Sequence, residues 1–413
     1  MTVSRAVAAR YTAKLLLVCL VLWQLLASLP RPAPPAPPLI LLWNNYQLTG
    51  SRVYSRIFQR VTGGGCGAVC RVTRDKARQQ ESAAIVFHLP DLHWEGYNWP
   101  ASRDPARPWI LMTYESGNSV RQRCYYKGKY PVFTGRELAG KINRTMTLRA
   151  DSDIVVRHGF VRRRVAALST AELGQVYSQA PRPPATRFLS SGNETGTKPA
   201  APVVWFVSHC NDFSGRMEFV RELQKHIAVD IYGECGPLSC GSSRNMGQEY
   251  RLQEDPCFQL VNTKYRFYLS FENAVCRDYI TEKAFNALRL NTVPVMYGGA
   301  NYSTFLPPGS FINAGEFGSP ALLAAYLFSL LRDPPAFLAY FAWRPHWDIV
   351  SYTSVPDNCA LCEQLVAGRL SQHSVYTDMF DWLVRRANCV YTSPSWGTRQ
   401  LSRVWAAAGR QSH

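Results

Sequence analysis

The chain has 413 residues, of which 46% are hydrophobic and 18% charged, a composition that excludes intrinsic disorder as the state of the whole chain. It carries 46 Lys and Arg against 29 Asp and Glu, a formal net charge of +17, and most of the basic residues are arginine. Arginine suits phosphate and carboxylate partners, so nucleic acid, a membrane surface and nucleotide sugars all stay open as partners. The length predicts two domains, and twelve cysteines are many for a cytosolic enzyme.

The first predicted element is an uncharged apolar run, residues 15–29, which follows three basic residues in the first fourteen. Fifteen helical residues span about 22 Å, and a snorkelling Lys14 extends this length enough for a thin secretory-pathway membrane. Because the basic residues precede the run, we expect a cytosolic tail (1–14), a transmembrane signal-anchor (15–29) and a lumenal remainder. A cleaved signal peptide is the alternative.

Either alternative places the body of the chain in an oxidising lumen. Three N-x-S/T sequons agree with this compartment, and the candidate glycosylation sites are Asn143, Asn193 and Asn301. An odd number of cysteines follows the apolar run, so we expect at least one to be unpaired within the chain.

Proline dominates residues 30–38, which we expect to form a stiff, extended stem. Three apolar runs then predict strands at Leu39–Trp43, Ala83–His88 and Trp109–Tyr114. They are apolar nearly throughout rather than alternating, as is typical of buried parallel strands. Residues 181–202 are rich in Pro, Gly, Ser and Thr and predict an interdomain linker.

The second half repeats the alternation of strands and helices. Predicted strands are Val203–Ser208, Val229–Tyr232, Tyr265–Phe271 and Val293–Tyr297, and predicted helices are Gly215–His226, Glu282–Leu290 and residues 320–341 around a break at 333–335. Two such units predict an α/β protein of two Rossmann-like domains, 39–180 and 203–358, facing across a cleft. We expect residues 359–413, which contain cysteines, to pack back on the first domain.

The most informative segment is residues 265–298, in which a buried strand is followed by Asn273 and then by a helix that opens around residue 281. Tyr279, Glu282 and Lys283 stand at i, i+3 and i+4, so we expect them to share one face at the start of that helix. A lysine at a helix N-terminus can clamp a diphosphate, and a carboxylate can accept two hydrogen bonds from a ribose diol. For the Glu–Lys pair alone, an ordinary surface ion pair is the alternative.

The string F-Y-L-S-F-E-N … D-Y-I-T-E-K … N-A-L … V-P-V in this segment resembles the signature of the α1,3-fucosyltransferases, enzymes that use GDP-fucose. The resemblance covers nearly the whole lumenal chain, more loosely in the first domain. It implies a GT-B-like fold, a single-pass type II protein of the Golgi membrane, and GDP-fucose bound by the C-terminal domain. The donor-binding residues that it implies are Asn273, Tyr279, Glu282 and Lys283.

Three further places support the resemblance. In W-F-V-S-H-C-N-D-F-S-G-R it implies that Arg216 contacts the donor's phosphates, although a solvated helix arginine is the alternative. In W-I-L-M-T-Y-E-S it implies that Glu115 is the general base, although a glutamate after an apolar strand is more often a loop residue. The sequence A-D-S-D-I at 150–154 resembles the family's R-D-S-D-I.

Two motifs raise the question of a metal. Asp151-x-Asp153 has the D-x-D form that binds metals in other nucleotide-sugar enzymes, but it lies away from the predicted diphosphate clamp, and we expect a structural or acceptor-side role. The pairs Cys66-x3-Cys70 and Cys359-x2-Cys362 have spacings that could also make a zinc site. The resemblance implies disulfides between these two pairs instead. Because Lys283 and Arg216 can supply the cationic charge, we expect no catalytic metal or other cofactor.

The sequence therefore predicts an inverting transfer of L-fucose from GDP-fucose to O3 of an N-acetylglucosamine (GlcNAc) in a glycoprotein or glycolipid glycan. A catalytically inactive lumenal protein that binds glycans or nucleotides on the same fold is the alternative. No nucleic-acid motif accompanies the basic charge, so we expect no nucleic-acid partner. Additional cysteines near residues 235 and 276 resemble invertebrate members, and core and antennary acceptors both stay open.

Overall fold

The structure is a computed structural model that describes residues 36–44, 70–117, 134–166, 168–169, 171–172, 200–211, 214–241, 255–351, 359–370 and 375–390. All the elements below belong to the unit that begins at Pro38. Their strands in chain order are β1 (Leu39–Leu42), β2 (Arg71–Thr73), β3 (Ala84–His88), β4 (Trp109–Thr113), β5 (Arg144–Thr147), β6 (Ile154–Val155), β7 (Gly159–Arg163), β8 (Val203–Phe206), β9 (Val229–Tyr232), β10 (Phe267–Phe271), β11 (Val293–Tyr297), β12 (Ile312–Asn313) and β13 (Trp347–Ser351).

The helices follow the strands of the second half more regularly than those of the first. They are α1 (Leu89–Trp94), α2 (Arg216–Leu223), α3 (Pro256–Lys264), α4 (Glu282–Ala287), α5 (Tyr302–Phe305), α6 (Pro320–Arg332), α7 (Pro334–Ala339) and α8 (Cys359–Val366). Short 3-10 turns at Lys76–Glu81, Arg136–Leu138 and Ala314–Glu316 and a π-helix at Asp381–Arg385 complete the description.

Two parallel sheets organise the chain. The first has six strands in the order β2-β1-β3-β4-β5-β6, and the second has five in the order β12-β11-β10-β8-β9. The central strands β3, β4, β10 and β11 are buried along their whole length, which explains their nearly continuous apolar sequences. The α/β class with parallel sheets, predicted from those sequences, is confirmed.

A two-stranded ribbon joins the halves of the chain. Strand β7, which follows the first sheet, pairs antiparallel with β13, which follows the second, and Gly159 lies opposite Ser351 at one end of the pairing. Helix α4 of the second half packs against both strands of the ribbon. The ribbon therefore fixes one flank of α4 to a segment that comes from the first half.

The last described part of the chain builds the core of the first half. Met379, Trp382, Leu383 and Val384 are buried in one apolar cluster with side chains of β1, β3 and β4. Helix α8 covers the other face of the sheet, where Leu361 and Cys362 join a second cluster. The first sheet is thus completed by residues that are distant in sequence.

Four disulfides have both cysteines among the described residues: Cys70–Cys362, Cys210–Cys235, Cys240–Cys257 and Cys276–Cys389. Cys359 is also disulfide-bonded, while Cys66 lies outside the described residues. The first bond ties the first half to helix α8 across 292 residues.

The sequence places Cys276 close to Cys210, Cys235, Cys240 and Cys257 and so predicts local pairing among these five cysteines, which is wrong for Cys276. Its partner Cys389 is 113 residues away, because the loop after β10 meets the C-terminal segment in a short backbone pairing. Val390 N–H donates to the Val275 carbonyl at 2.8 Å, and Arg277 N–H donates to the Ala387 carbonyl at 2.8 Å. Local sequence spacing cannot reveal such a contact.

The helices within the described ranges are all too short or too polar to cross a bilayer. The apolar run 15–29, the stem 30–35 and most of the linker, 181–199, lie outside those ranges, so the predicted anchor stays a prediction.

Candidate active site

The loops after the strands of both sheets meet at one narrow cleft. In parallel α/β sheets, ligands bind outside the carboxyl ends of the strands. The cleft is lined by residues after β4, β5 and β10 and by the C-terminal segment: Thr113, Glu115, Ser116, Gly117, Thr147, Leu148, Arg149, Cys276, Arg277, Tyr279, Leu383 and Ala387. Glu115 and Tyr279, predicted independently as site residues, therefore face the same space.

Glu115 stands two residues beyond the end of β4. Its backbone N–H donates to Thr113 Oγ1 at 3.1 Å, which turns the chain at the strand end, and its side chain is partly exposed at the cleft. Gly117 follows, and any Cβ there would collide with the Leu383 carbonyl, so the C-terminal segment presses directly on this loop. The backbone that carries Glu115 is thus held at the cleft by a local turn and by close packing.

Lys283 lies in the first turn of α4, where Thr281 is the N-cap. Its Nζ is 2.9 Å from Thr281 Oγ1, 3.2 Å from Glu282 Oε1 and 3.3 Å from Glu272 Oε2. Burial alone would lower the pKa of Lys283, but the two carboxylates outweigh burial and raise its pKa above the usual value. The side chain is therefore a permanent ammonium, and 30% of it is exposed for a ligand.

Glu272 organises the start of this helix, although the sequence analysis did not select it. It is buried at the end of β10, and its Oε1 accepts from Thr281 N at 2.8 Å and from Thr281 Oγ1 at 2.9 Å. One feature of the sequence could have indicated this role. Glu272 comes directly after a fully buried strand, and an acid at such a place needs partners inside the protein.

Glu282 is held between two basic side chains, Lys283 on one oxygen and His158 on the other. His158 Nδ1 is 3.5 Å from Glu282 Oε2. Burial would raise the pKa of Glu282, but the charges of Lys283 and His158 lower it to about 2. Glu282 is therefore a carboxylate at any physiological pH and can accept hydrogen bonds from hydroxyl groups.

Arg216 begins α2 after Gly215, whose φ of 73° lies in the left-handed region. The guanidinium is buried and donates from Nη1 to the Phe271 carbonyl at 2.9 Å and from Nη2 to the His209 carbonyl at 2.8 Å. Its charge reaches Lys283, whose pKa it lowers slightly against the effect of the carboxylates. Arg216 is thus a fixed cation behind the end of β10, and a solvated helix arginine does not describe it.

Tyr279 does not share a helical face with Glu282 and Lys283, so that expectation is wrong. Helix α4 starts only at Glu282, and the residues before Thr281 form an irregular loop in which Asp278 has a φ of 61°. Tyr279 packs into the apolar cluster of the first sheet, and its hydroxyl donates to Asn273 Oδ1 at 3.0 Å. The helical spacing was applied to residues that are not helical.

The D-x-D carboxylates are engaged by protein donors. Asp151 is 2.5 Å from Arg149 Nη2 and 2.7 Å from Arg277 Nη2. Burial would raise the pKa of Asp151, but these two arginines lower it. Asp153 Oδ2 accepts from Thr145 N at 2.8 Å and from the Tyr376 hydroxyl at 2.8 Å. Both residues therefore tie the first sheet to other segments.

The structure contradicts one candidate glycosylation site. Asn143 is 3% exposed, and its Oδ1 accepts from the backbone N–H of Trp109, so the folded chain leaves no room for a glycan there. Asn301 is partly exposed before helix α5, and Asn193 lies outside the described residues.

Two family models match the chain. The model described as "Fucosyltransferase, N-terminal" matches residues 35–159, and "Glycosyltransferase family 10 (fucosyltransferase) C-term" matches residues 197–382. These ranges contain Glu115 and the residues around Lys283, respectively.

The curated relatives that the chain matches are also fucosyltransferases. Alpha-(1,3)-fucosyltransferase C of Drosophila melanogaster is 33% identical over 308 residues, which are 72% of this chain and 64% of that protein. The 4-galactosyl-N-acetylglucosaminide 3-alpha-L-fucosyltransferase FUT5 of Hylobates lar is 31% identical over 344 residues, 81% of this chain and 77% of that protein. A crystal structure of an alpha1,3-fucosyltransferase with GDP-fucose aligns with a TM-score of 0.47 at 15% identity, over 85% of this chain and 96% of the other. The chain thus spans less than two thirds of the length of the Drosophila relative.

Proposed function

The chain belongs to glycosyltransferase family 10, the fucosyltransferases, and from this premise we propose that it transfers L-fucose from GDP-fucose to O3 of a GlcNAc in a glycan. The product carries an α1,3 linkage, and the reaction inverts the anomeric centre. The observation that supports this best is that a candidate base and the loop before a candidate phosphate-binding lysine line one cleft, where the ends of both sheets meet. A carboxylate, Glu115, lines the cleft, and a loop that lines the same cleft leads directly into Lys283.

The second sheet supplies the donor side. When fucose leaves GDP, negative charge accumulates on the diphosphate, and fixed cations stabilise that charge more in the transition state than in the ground state. Lys283 and the buried Arg216 are such cations. Glu282 accepts the ribose hydroxyls, and Asn273 and Tyr279, already hydrogen-bonded to each other, shape the loop beside them.

The first sheet supplies the acceptor side. The acceptor hydroxyl loses a proton as it attacks, and a carboxylate within hydrogen-bond reach can take that proton. Glu115 fills this role because it lies at the cleft on a strand end that packing holds in place. A single displacement needs one catalytic carboxylate, in contrast to the paired carboxylates of retaining glycosidases.

The wider architecture is part of the same proposal. Two parallel sheets, whose strand ends share one cleft, support a GT-B-like arrangement of Rossmann-like domains at 39–180 and 203–358. The apolar run 15–29 after basic residues supports a single-pass type II anchor in the Golgi membrane. Arginine contacts to Asp151 support a structural D-x-D and a reaction driven by protein cations without a cofactor.

The test is a transfer assay with the full-length chain in detergent, GDP-fucose, and two acceptors, an N-glycan core and an N-acetyllactosamine antenna. We expect GDP release and a mass gain of one fucose on at least one acceptor. Glu115→Gln should lose about a hundredfold or more in kcat while keeping GDP affinity. Glu81→Gln, the same change at a side chain that is 61% exposed, is the matched control.

The outcomes separate the alternatives. Equal turnover of Glu115→Gln and the parent would remove Glu115 as the base. GDP binding without transfer to either acceptor would favour a catalytically inactive lumenal binding protein.

A further inference from the structure

A short segment of the first half reaches the donor side of the site. Residues 157–159, which lead from β6 into the first residue of β7, contact helices α4 and α5. In this segment His158 directs its Nδ1 to Glu282 Oε2 at 3.5 Å, and the two side chains are 16% and 27% exposed. The pair therefore links the two halves of the chain at a largely buried place.

Its neighbours fix the imidazole in place. The His158 ring meets the Tyr114 ring edge-on, with centroids 5.5 Å apart, and Tyr114 immediately precedes Glu115. On the other side Gly159 lies against Phe285 of α4, so closely that a Cβ would be 2.6 Å from the ring. Arg157 stacks its guanidinium over Phe305 of α5, 4.9 Å from the ring centroid. Three consecutive residues thus hold this segment on the second half.

Lys283 and His158 together restrict the orientation of the Glu282 carboxylate. Lys283 Nζ contacts Glu282 Oε1 at 3.2 Å, and His158 contacts Oε2, so the two oxygens are held from opposite sides. A carboxylate on a flexible side chain loses rotamer entropy when it binds a diol, and this loss is smaller when the carboxylate is already held.

We infer that His158 is a positioning residue that holds Glu282 ready to accept the hydroxyls of the donor's ribose. The inference rests on the proposed function and deepens it, because it makes donor affinity depend on a side chain from the acceptor half. Through Tyr114, the same imidazole also contacts the strand end that carries Glu115.

The test uses full-length protein and measures KM for GDP-fucose, kcat, and Kd for GDP. His158→Ala should raise KM and Kd about tenfold, as expected for loss of a charge-assisted contact, with kcat changed less than about threefold. His158→Gln, which can still donate to Glu282, should recover part of the affinity. His226→Ala, at an exposed histidine after α2, is the matched control and should behave as the parent.

A double-mutant cycle separates positioning from a merely structural role. If His158 acts through Glu282, His158→Ala should add less than about twofold to Kd in a Glu282→Gln background. An unchanged Kd in His158→Ala, or an equal loss in both backgrounds, would overturn the inference while the proposed function stands. A parent protein that binds no GDP would instead remove the proposed function, and this inference with it.

Discussion

Glu272 shows how a single buried acid can set up a binding site without facing the ligand. It is 1% exposed, accepts two hydrogen bonds from Thr281, and lies 3.3 Å from the Lys283 ammonium. A buried charge of this kind is stable only with its partners in place. Removing it should therefore disturb both the fold and the cation that we assign to the diphosphate.

Glu272→Ala should lower the free energy of unfolding by roughly 3–5 kcal/mol, because it removes one of the two carboxylates beside Lys283 and leaves the buried Thr281 donors without their acceptor. It should also weaken GDP binding. Urea unfolding followed by fluorescence measures the first effect and calorimetric titration the second. Glu81→Ala, at an exposed position, should change neither, and a Glu272→Ala protein as stable as the parent would contradict this account.

Glu282 makes stability depend on pH in a defined direction. Its pKa in the folded chain is about 2, below the usual 4.5, so its stabilising contribution is fully present above pH 4.5 and is lost as pH falls through 2. The stability advantage of the parent over Glu282→Gln should accordingly be largest near pH 6 and should shrink between pH 4.5 and 3. Urea midpoints of both proteins at pH 6, 4 and 3 measure it, and a constant difference would show that the carboxylate is not held as described.

At the scale of elements, the start of β7 is fitted to helix α4 with no spare room. Gly159→Ala would place a Cβ 2.6 Å from the Phe285 ring, so either the ribbon or the helix must move. We expect a loss of roughly 1–3 kcal/mol in stability, together with a higher KM for GDP-fucose, because α4 carries Glu282 and Lys283.

Gly318→Ala is the matched control for this change. A Cβ at residue 318 would lie at an ordinary 3.6 Å from Leu322, whose side chain is exposed. Thermal unfolding and donor kinetics of both variants test the prediction. Equal behaviour of the two alanine variants would show that the ribbon does not position the helix.

The strands that could be predicted from the sequence are the buried ones whose residues are apolar nearly throughout. Seven strands fall within the predicted runs: β1, β3, β4, β8, β9, β10 and β11. β5 was missed because Arg144 and Thr145 are polar, yet they are buried beside Asp153, which satisfies them. β7 and β13 were missed because a two-stranded ribbon buries little, and its pairing crosses 186 positions between Arg162 and Asp348.

Some residues of the candidate site could likewise be predicted from the sequence, and others could not. Lys283 could be selected because it stands at a predicted helix start, whereas Glu115 was selected through the family resemblance of the strand that precedes it. Neither His158, which contacts Glu282, nor the segment around Cys389 could be selected, because contacts between distant segments leave no local pattern.

For the whole molecule, the disulfides differ in the length of chain that they close and in the segment that they hold. Cys276–Cys389 closes 113 residues and pins the loop that precedes Lys283, whereas Cys240–Cys257 closes only 17 residues within the second half. In the chain-entropy model these loops correspond to roughly 4.7 and 3 kcal/mol.

Replacing Cys276 and Cys389 together by Ala should therefore lower stability by about 1–2 kcal/mol more than replacing Cys240 and Cys257. It should also reduce GDP affinity, because Tyr279 and Arg277 lie in the released loop. Chemical unfolding and GDP titration of the two double variants are the measurement. A larger loss from the 240–257 pair would contradict the importance given to the long-range bond.

The contact between β1 and residues 379–384 has a consequence for synthesis. Met379 and Trp382 complete a cluster begun by Leu41, so the first sheet cannot bury this apolar face until residues 379–384 have left the ribosome. A nascent polypeptide interrupted before residue 375 would present that face to chaperones, and a gene fragment encoding residues 39–180 by itself should yield insoluble material.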